Sequence, residues 1–331
     1  MPRNGSGSYN LPANSWFPAV NGVTATSTDW NNTAQDIQAA LTQSVSSDGQ
    51  TPMTGNLPMG NNKITGLANG TANTDAAAFG QVARYVGNCR LTKSGANLLL
   101  TPFNGNQLTI SGALQTVPAA GVTLAPTGVA GTLYYIYAFM SGTTMTLEAS
   151  TTTHATDVST GVEIKSGDAT RTLVGMARPV AGPAWQDAPT QRFVISWFNR
   201  RTLNLTAVIG ANQGNSGTTY SVLLGSLFLE ALVWGGDALS GRFQGALTNN
   251  VANAVSNTAI FLDGVAVESY SATGAYISAA VQPVYCSLDN SPTEGYHSLQ
   301  VYALQNVSST ATYVGGGSSA ARCVHSAVIQ G

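Results

Sequence analysis

Charge is what this sequence has least of. Asp, Glu, Lys and Arg make up 8% of its 331 residues, against roughly 25% in an ordinary soluble domain. A nucleic-acid binder would carry a basic excess or a Lys/Arg stripe. Here the net charge is −2, and beyond the Arg200-Arg201 pair the basic residues are scattered. DNA and RNA are therefore excluded as ligands. Cysteine is sparse as well: Cys89, Cys286 and Cys323 make neither a disulfide framework nor a CxxC metal pattern. They are expected as buried free thiols, with a Cys286–Cys323 bridge left open. No run of about 18 apolar residues exists, so no membrane insertion is expected. The start, Met1-Pro2-Arg3-Asn4-Gly5-Ser6-Gly7, lacks the apolar stretch of a signal peptide. The expectation is a protein made in a cytoplasm and released by lysis.

Catalytic patterns are also missing. The three histidines, His154, His297 and His325, sit in no HExxH or comparable metal spacing. His325 and Cys323 alternate as strand residues do, and a structural role is expected for both. No GxSxG elbow occurs. Gly315-Gly316-Gly317-Ser318 lacks the Lys of a phosphate loop and reads as a turn. Glycan hydrolysis needs two carboxylates about 5 to 10 Å apart in a groove. Asp157, Glu163, Asp168, Asp237, Asp263, Glu268, Asp289 and Glu294 are available, but no spacing singles out a pair. Asp263-Gly264 is a hairpin signal. No catalytic residue, metal or cofactor is assigned, and the chain is read as a non-enzyme.

What is present is material for a core: 43% hydrophobic and 8% aromatic residues, too much for a disordered chain. Residues 1–27, rich in Gly, Ser, Asn and Pro, read as an extended arm. Its Tyr9, Trp16 and Phe17 suit docking onto another protein. Residues 28–46 read as a helix capped by Thr28 or Asp29. Trp30, Ala34, Ile37, Leu41 and Val45 form a narrow apolar seam, as in a coiled coil. A lone helix of this kind is marginal in water, so it needs sister chains or its own body. A second helix is predicted from about 75 to 85, closing a neck and short shaft over 28–86.

After Cys89 the texture changes to alternating and β-branched runs between Gly, Pro, Asn and Ser turns. Strands are predicted at 98–100, 108–110, 133–139, 145–148, 173–177, 192–198, 203–208, 221–232, 259–262, 276–285, 295–304, 310–314 and 324–329. Many short strands at such spacing indicate a β-sandwich or jelly roll. Pro179, Pro183 and Pro189 suggest a boundary, giving β-domains at 87–180 and 181–331. The fold class is thus mainly β: a short N-terminal helical neck, then β-sandwich or jelly-roll-like domains.

The stretches MPRNGSGSYNLP (1–12), WNNTAQDIQAALTQSVSSDGQT (30–51) and MTGNLPMGNNKITGLANGTANTDAAAFGQV (53–82) resemble the N-terminal region of bacteriophage tail-fibre proteins. The combination of Met-Gly, Lys-Ile-Thr-Gly-Leu and Thr-Asp-Ala-Ala carries the likeness, over about a quarter of the chain. Ser-Trp-Phe-Asn-Arg-Arg (196–201), Phe-Leu-Asp-Gly-Val (261–265) and Glu-Gly-Tyr-His (294–297) look like the β-domains of such fibres, less specifically. The resemblance implies a homotrimeric virion protein, anchored by its N-terminus to the tail or another virion protein. Its β-rich part would attach to a host-surface glycan or protein. Three-fold association would cover the helix seam and share burial across a charge-poor body. The alternatives are an adaptor, head-fibre or decoration subunit without a receptor site, or a glycan depolymerase. Receptor residues are not carried over. Among the aromatics Trp185, Trp197, Trp234, Tyr270, Tyr276, Tyr296 and Tyr302, core is the default. Trp185, in a Pro-rich loop, is the least core-like. Trp185, Arg200 and Arg201 are the receptor candidates, although one of the two guanidiniums is expected to pair with a carboxylate at a strand end.

Overall fold

The structure, a computed structural model, describes residues 26–42, 59–62, 64–68, 86–275, 278–316 and 321–330, with isolated positions 22, 24 and 56. The chain divides into two compact units, Met1–Ala68 and Asn69–Gly331. In the first, helix α1 runs from Ser27 to Thr42. Its cap is neither Thr28 nor Asp29 but Thr26. The Asp29 amide donates to Thr26 Oγ1, and the Thr26 amide donates back to Asp29 Oδ2, both at 3.2 Å. This reciprocal pair is a capping box with Asp in the acidic place. The predicted second helix lies outside the described residues.

The second unit begins with a β-module. Strands β1 (Cys89–Ser94), β2 (Asn97–Pro102) and β3 (Val122–Leu124) form one small sheet. Strands β4 (Tyr134–Ser141), β5 (Thr144–Ser150), β6 (His154–Thr156), β7 (Glu163–Lys165) and β8 (Asp168–Ala177) form a second, in the order β5-β4-β8-β7-β6. Strand β9 (Val194–Ser196) also pairs with β8. Leu91, Leu98, Leu100, Ile136 and Val174 are buried between these layers.

Eight longer strands then build a sandwich: β10 (Thr202–Val208), β11 (Leu229–Val233), β12 (Leu239–Asn249), β13 (Ala254–Leu262), β14 (Val265–Ala275), β15 (Gln282–Asn290), β16 (Gly295–Gln305) and β17 (Val324–Gln330). One sheet runs β10-β17-β12-β15 and the other β11-β16-β13-β14. Numbered one to eight along the chain, that is 1-8-3-6 packed on 2-7-4-5, the jelly-roll order. Alternation explains the inward face: Leu203, Leu205 and Ala207 of β10 are buried while Thr202, Asn204 and Thr206 are exposed. In β17, His325, Ala327 and Ile329 point inward in the same way. Asp263 and Gly264 take φ of 52° and 77°, the two positive values of a type I′ hairpin turn, as the Asp-Gly pair predicts. At one end of the sandwich a polar group is buried. Asn249 donates to Gln305 Oε1 at 3.0 Å, Ser256 to the same oxygen at 2.7 Å, and Gln305 to Asn215 Oδ1 at 3.3 Å.

Several strand expectations change. The stretch 221–232 is not one strand: a 3-10 turn at Gly225–Leu227 separates Ser221–Val222 from β11. The strand expected at 276–285 is placed later, at Gln282–Asn290. Strand β12, central to its sheet, was not predicted, because Gly241 and Gly245 break its apolar pattern. The glycine at 245 is needed for close approach: a Cβ there would lie 2.5 Å from Cys323 Cα. The three cysteines are free and buried. Cys286 and Cys323 flank β12 from opposite edges. Two strand spacings, roughly 9.5 Å, exceed the reach of a disulfide. Burial pushes Cys89 and Cys286 up to about 12 and Cys323 to about 11, so all three stay thiols.

Candidate functional site

A cluster of ionisable and aromatic groups lies where the β-module meets the sandwich. His154 enters on β6, a three-residue strand paired with β7. Its Nδ1 faces Glu163 Oε2 of β7 at 2.5 Å, and its Nε2 faces Glu294 Oε2 at 3.2 Å. Glu294 immediately precedes β16. The Tyr135 hydroxyl of β4 donates to Glu294 Oε1 at 2.7 Å, and Thr156 donates to Glu163. Trp197 and Trp234 pack edge to face at 4.9 Å, with the imidazole 5.6 and 6.1 Å from their rings. Beyond them Arg200 gives Nη1 to both oxygens of Asp237 at 3.0 Å, and its guanidinium lies 4.6 Å from the Trp197 ring.

Electrostatics follow from this geometry. The hydrogen bond to Glu294 raises the His154 pKa above its ordinary 6.5 against the opposing effect of burial, with Glu163 adding to the rise. Burial alone would raise Glu294; the hydrogen bonds from His154 and Tyr135 outweigh it and hold the carboxyl below its ordinary 4.5. Burial, then Glu294, pushes the Tyr135 hydroxyl up. A glycosidase pair needs carboxylates free to protonate or attack a sugar. Here each carboxylate is spent on the same imidazole and on a hydroxyl. The arrangement clamps β6, β7 and the entry to β16 together.

The receptor candidates fare differently. Trp185 is 1% exposed, packed in the β-module with its Nε1 donating to the Ala125 carbonyl at 3.2 Å. This corrects its reading as a surface aromatic: short pairing of Ala184–Trp185 with Pro179–Val180 turns the ring inward. Arg200 is the guanidinium expected to find a carboxylate, and it is engaged by Asp237. Arg201 is exposed. Of the helix seam, Trp30 and Ile37 are 63% and 41% exposed and Ala34 is exposed. Leu41 lies in α1, while Val45, Tyr9, Trp16 and Phe17 lie outside the described residues. Glu163 and Glu294 were among the eight carboxylates considered, but nothing in a 131-residue separation marks them as partners of one histidine.

No family model matches this chain, and no curated protein matches it. Solved structures similar to it include the VP2 subviral particle of infectious bursal disease virus, at 17% identity over 47% of this chain and 44% of that one, with a TM-score of 0.25. Dimeric latent PorU from Porphyromonas gingivalis shows 8% identity over 73% of this chain and 19% of that one, at 0.26. The insecticidal delta-endotoxin Cry8Ea1 from Bacillus thuringiensis shows 7% over 79% and 57%, at 0.24. The chain thus spans less than half the length of the VP2 chain. At these scores the likenesses say nothing of function.

The clamp predicts a pH signature. A raised His154 pKa stabilises fully below about 6.5 and loses that contribution as pH rises through the folded value. A lowered Glu294 pKa stabilises above about 4.5 and loses it as pH falls through the folded value. Their pair therefore contributes most between about pH 4.5 and 6.5. Glu294→Gln should lower stability there by about 1–2 kcal/mol, as for a partly exposed charge-assisted bond. The loss should shrink above neutrality. Melting temperature against pH for both proteins checks this; parallel curves would refute the clamp.

Proposed function

We propose that the chain is a structural subunit of a virion appendage, a tail-fibre-like protein that anchors by its N-terminus and attaches to a host surface through its β-rich part. The observation that carries this reading is the order of parts. A segment resembling fibre N-termini, with a helix whose seam residues Ala34 and Ile37 are exposed, precedes a charge-poor jelly roll. A helix displaying an apolar seam suits burial against sister helices. A sandwich whose two sheets enclose a continuous apolar core suits a protein that must persist outside the cell. Saturation of Glu163 and Glu294 by His154, Thr156 and Tyr135 favours adhesion over glycan hydrolysis, because neither carboxylate is left to react. Attachment would run through several weak contacts multiplied by the copy number of the fibre, with a surface glycan as the expected partner.

Immunogold labelling of particles released by the genome that encodes the chain tests the proposal. Label on the tail or another appendage is the expected result. Particles that carry no label, in a lysate containing the soluble protein, would sink it. Label confined to the head would move the chain to the decoration-subunit alternative.

A further inference from the structure

The sheet β10-β17-β12-β15 turns one face to the core and leaves the other open. Register stacks its outward side chains in rows. One row is Thr206, Ser326, Arg242 and Ser287; beside it run Asn204, Val328, Ser240 and Asp289. On the far side of the first row Gln244 lies next to Tyr285. Tyr285 is 51% exposed and Val328 40%, both large for apolar groups on a regular sheet. A depression of about 370 Å³ lies on this face, lined by Ser240, Arg242, Ser326, Ala327 and Val328.

Arg242 and Asp289 are the only charges in these rows. Both are exposed, and neither makes an ion pair or side-chain hydrogen bond among the described residues. Arg201 is likewise without such a partner among the described residues, but most other cations of the β-rich unit are engaged. Arg200 is paired with Asp237, Arg178 with Glu230, Arg192 with Asp187, and Lys165 and Arg171 with Glu148. The other sheet's outer face is covered in part by the chain itself. Arg178 lies 4.0 Å over Tyr296, and Tyr220 lies 5.6 Å from Phe261.

We infer that the β10-β17-β12-β15 face docks a second copy of this chain, Arg242 of one copy pairing with Asp289 of the next. The inference rests on the fibre reading and names the surface that would join its subunits. The charge pattern selects the occupant. One cation and one anion on an otherwise neutral face complement the same face, or its neighbour in a ring, without net charge. A polyanionic glycan would meet Asp289, and a strongly charged protein partner would find nothing to match. The Ser and Thr hydroxyls of the face would need hydrogen bonds across the contact, while Tyr285 and Val328 supply its apolar area, Tyr285 being of the aromatic type enriched at interfaces.

Multi-angle light scattering of the full chain tests this. The wild type should elute at a multiple of its 34.0 kDa, about 102 kDa for a closed trimer. Arg242→Glu and Asp289→Arg should each shift the mass toward one chain, and the double reversal should restore it. Both side chains are exposed, so circular dichroism should be unchanged. If either variant alters it, Tyr285→Ser probes the same face and should also lower the mass. A monomeric wild type, a mass unmoved by the single reversals and by Tyr285→Ser, or a double reversal that fails to reassociate each overturns the inference. So does loss of glycan-array binding in Arg242→Glu at unchanged mass, which would make the face a ligand site. Labelled particles with a mass unmoved by these variants would sink this inference alone; unlabelled particles sink the fibre reading whatever the mass.

Discussion

Trp234→Ala is expected to cost about 3–5 kcal/mol, the range for removing a fully buried large aromatic. Trp234 follows β11 and is 0% exposed. It meets Trp197 edge to face at 4.9 Å and His154 at 6.1 Å. Its Nε1 donates to the Ser196 carbonyl of β9 at 3.1 Å, and the Arg200 guanidinium lies 5.3 Å over its ring. One side chain thus touches the β-module, the sandwich and the ion pair between Arg200 and Asp237. Truncation opens a cavity at this junction and leaves the Ser196 carbonyl without that donor. Trp234→Phe keeps most of the ring and loses mainly the hydrogen bond, so its cost should be nearer about 1–2 kcal/mol. Denaturant midpoints followed by far-ultraviolet circular dichroism separate the two. An alanine variant within about 1 kcal/mol of wild type would show that the junction is not held there.

Acid should weaken the wild type through His325, and His325→Leu should remove that weakness. His325 is 0% exposed on β17, with Nδ1 2.7 Å from the Leu227 carbonyl. That bond requires the proton on Nδ1 and leaves Nε2 bare. Nε2 is one of two buried side-chain atoms without a partner among the described residues, the other being Trp197 Nε1. Burial pushes the imidazole from 6.5 down to about 4, against the carbonyl's opposing pull. The unfolded chain therefore takes up a proton near pH 6.5 that the folded chain refuses until about pH 4. Stability falls across that window by about 3 kcal/mol, at about 1.4 kcal/mol per pH unit. His325→Leu should lose about 1 kcal/mol at pH 7 through the orphaned Leu227 carbonyl, then hold steady where the wild type declines. The His154 contribution is fully present below about 6.5 and is lost only above it, so it stays level across this window, and the difference between the two proteins is the quantity to read. Identical slopes of melting temperature against pH would rule out a neutral buried His325.

Both predictions concern groups that a charge-poor chain places with little redundancy. Asp263 illustrates the economy. It makes the hairpin turn at positive φ, accepts the Ser298 amide at 2.8 Å and faces His297 Nδ1 at 2.8 Å. A carboxylate that looked like turn chemistry alone also ties β13, β14 and β16 together.

What the sequence determined by itself was local. The 3.6-residue spacing of Trp30, Ala34 and Ile37 marks α1, because a helix shows its period within a few turns. Alternation marks β10 and β17, because each strand reads only its own pleat, and Asp263-Gly264 marks its turn through backbone φ alone. Strand β12 stayed hidden, since Gly241 and Gly245 are set by neighbours that approach too closely for a side chain. Pairing across the fold was equally out of reach. Trp185 looked exposed because its proline-rich surroundings read as loop, yet the Pro179–Val180 pairing buries it. Cys286 and Cys323 looked able to bridge until β12 came between them. His154 meets Glu294 only because β6 and the entry to β16 are brought to one junction. Arg242 and Asp289 share a face only because register aligns β12 with β15. Periodicity is a property of a segment and survives in one dimension; which segments become neighbours is decided by packing, and so only the tertiary structure could supply the site.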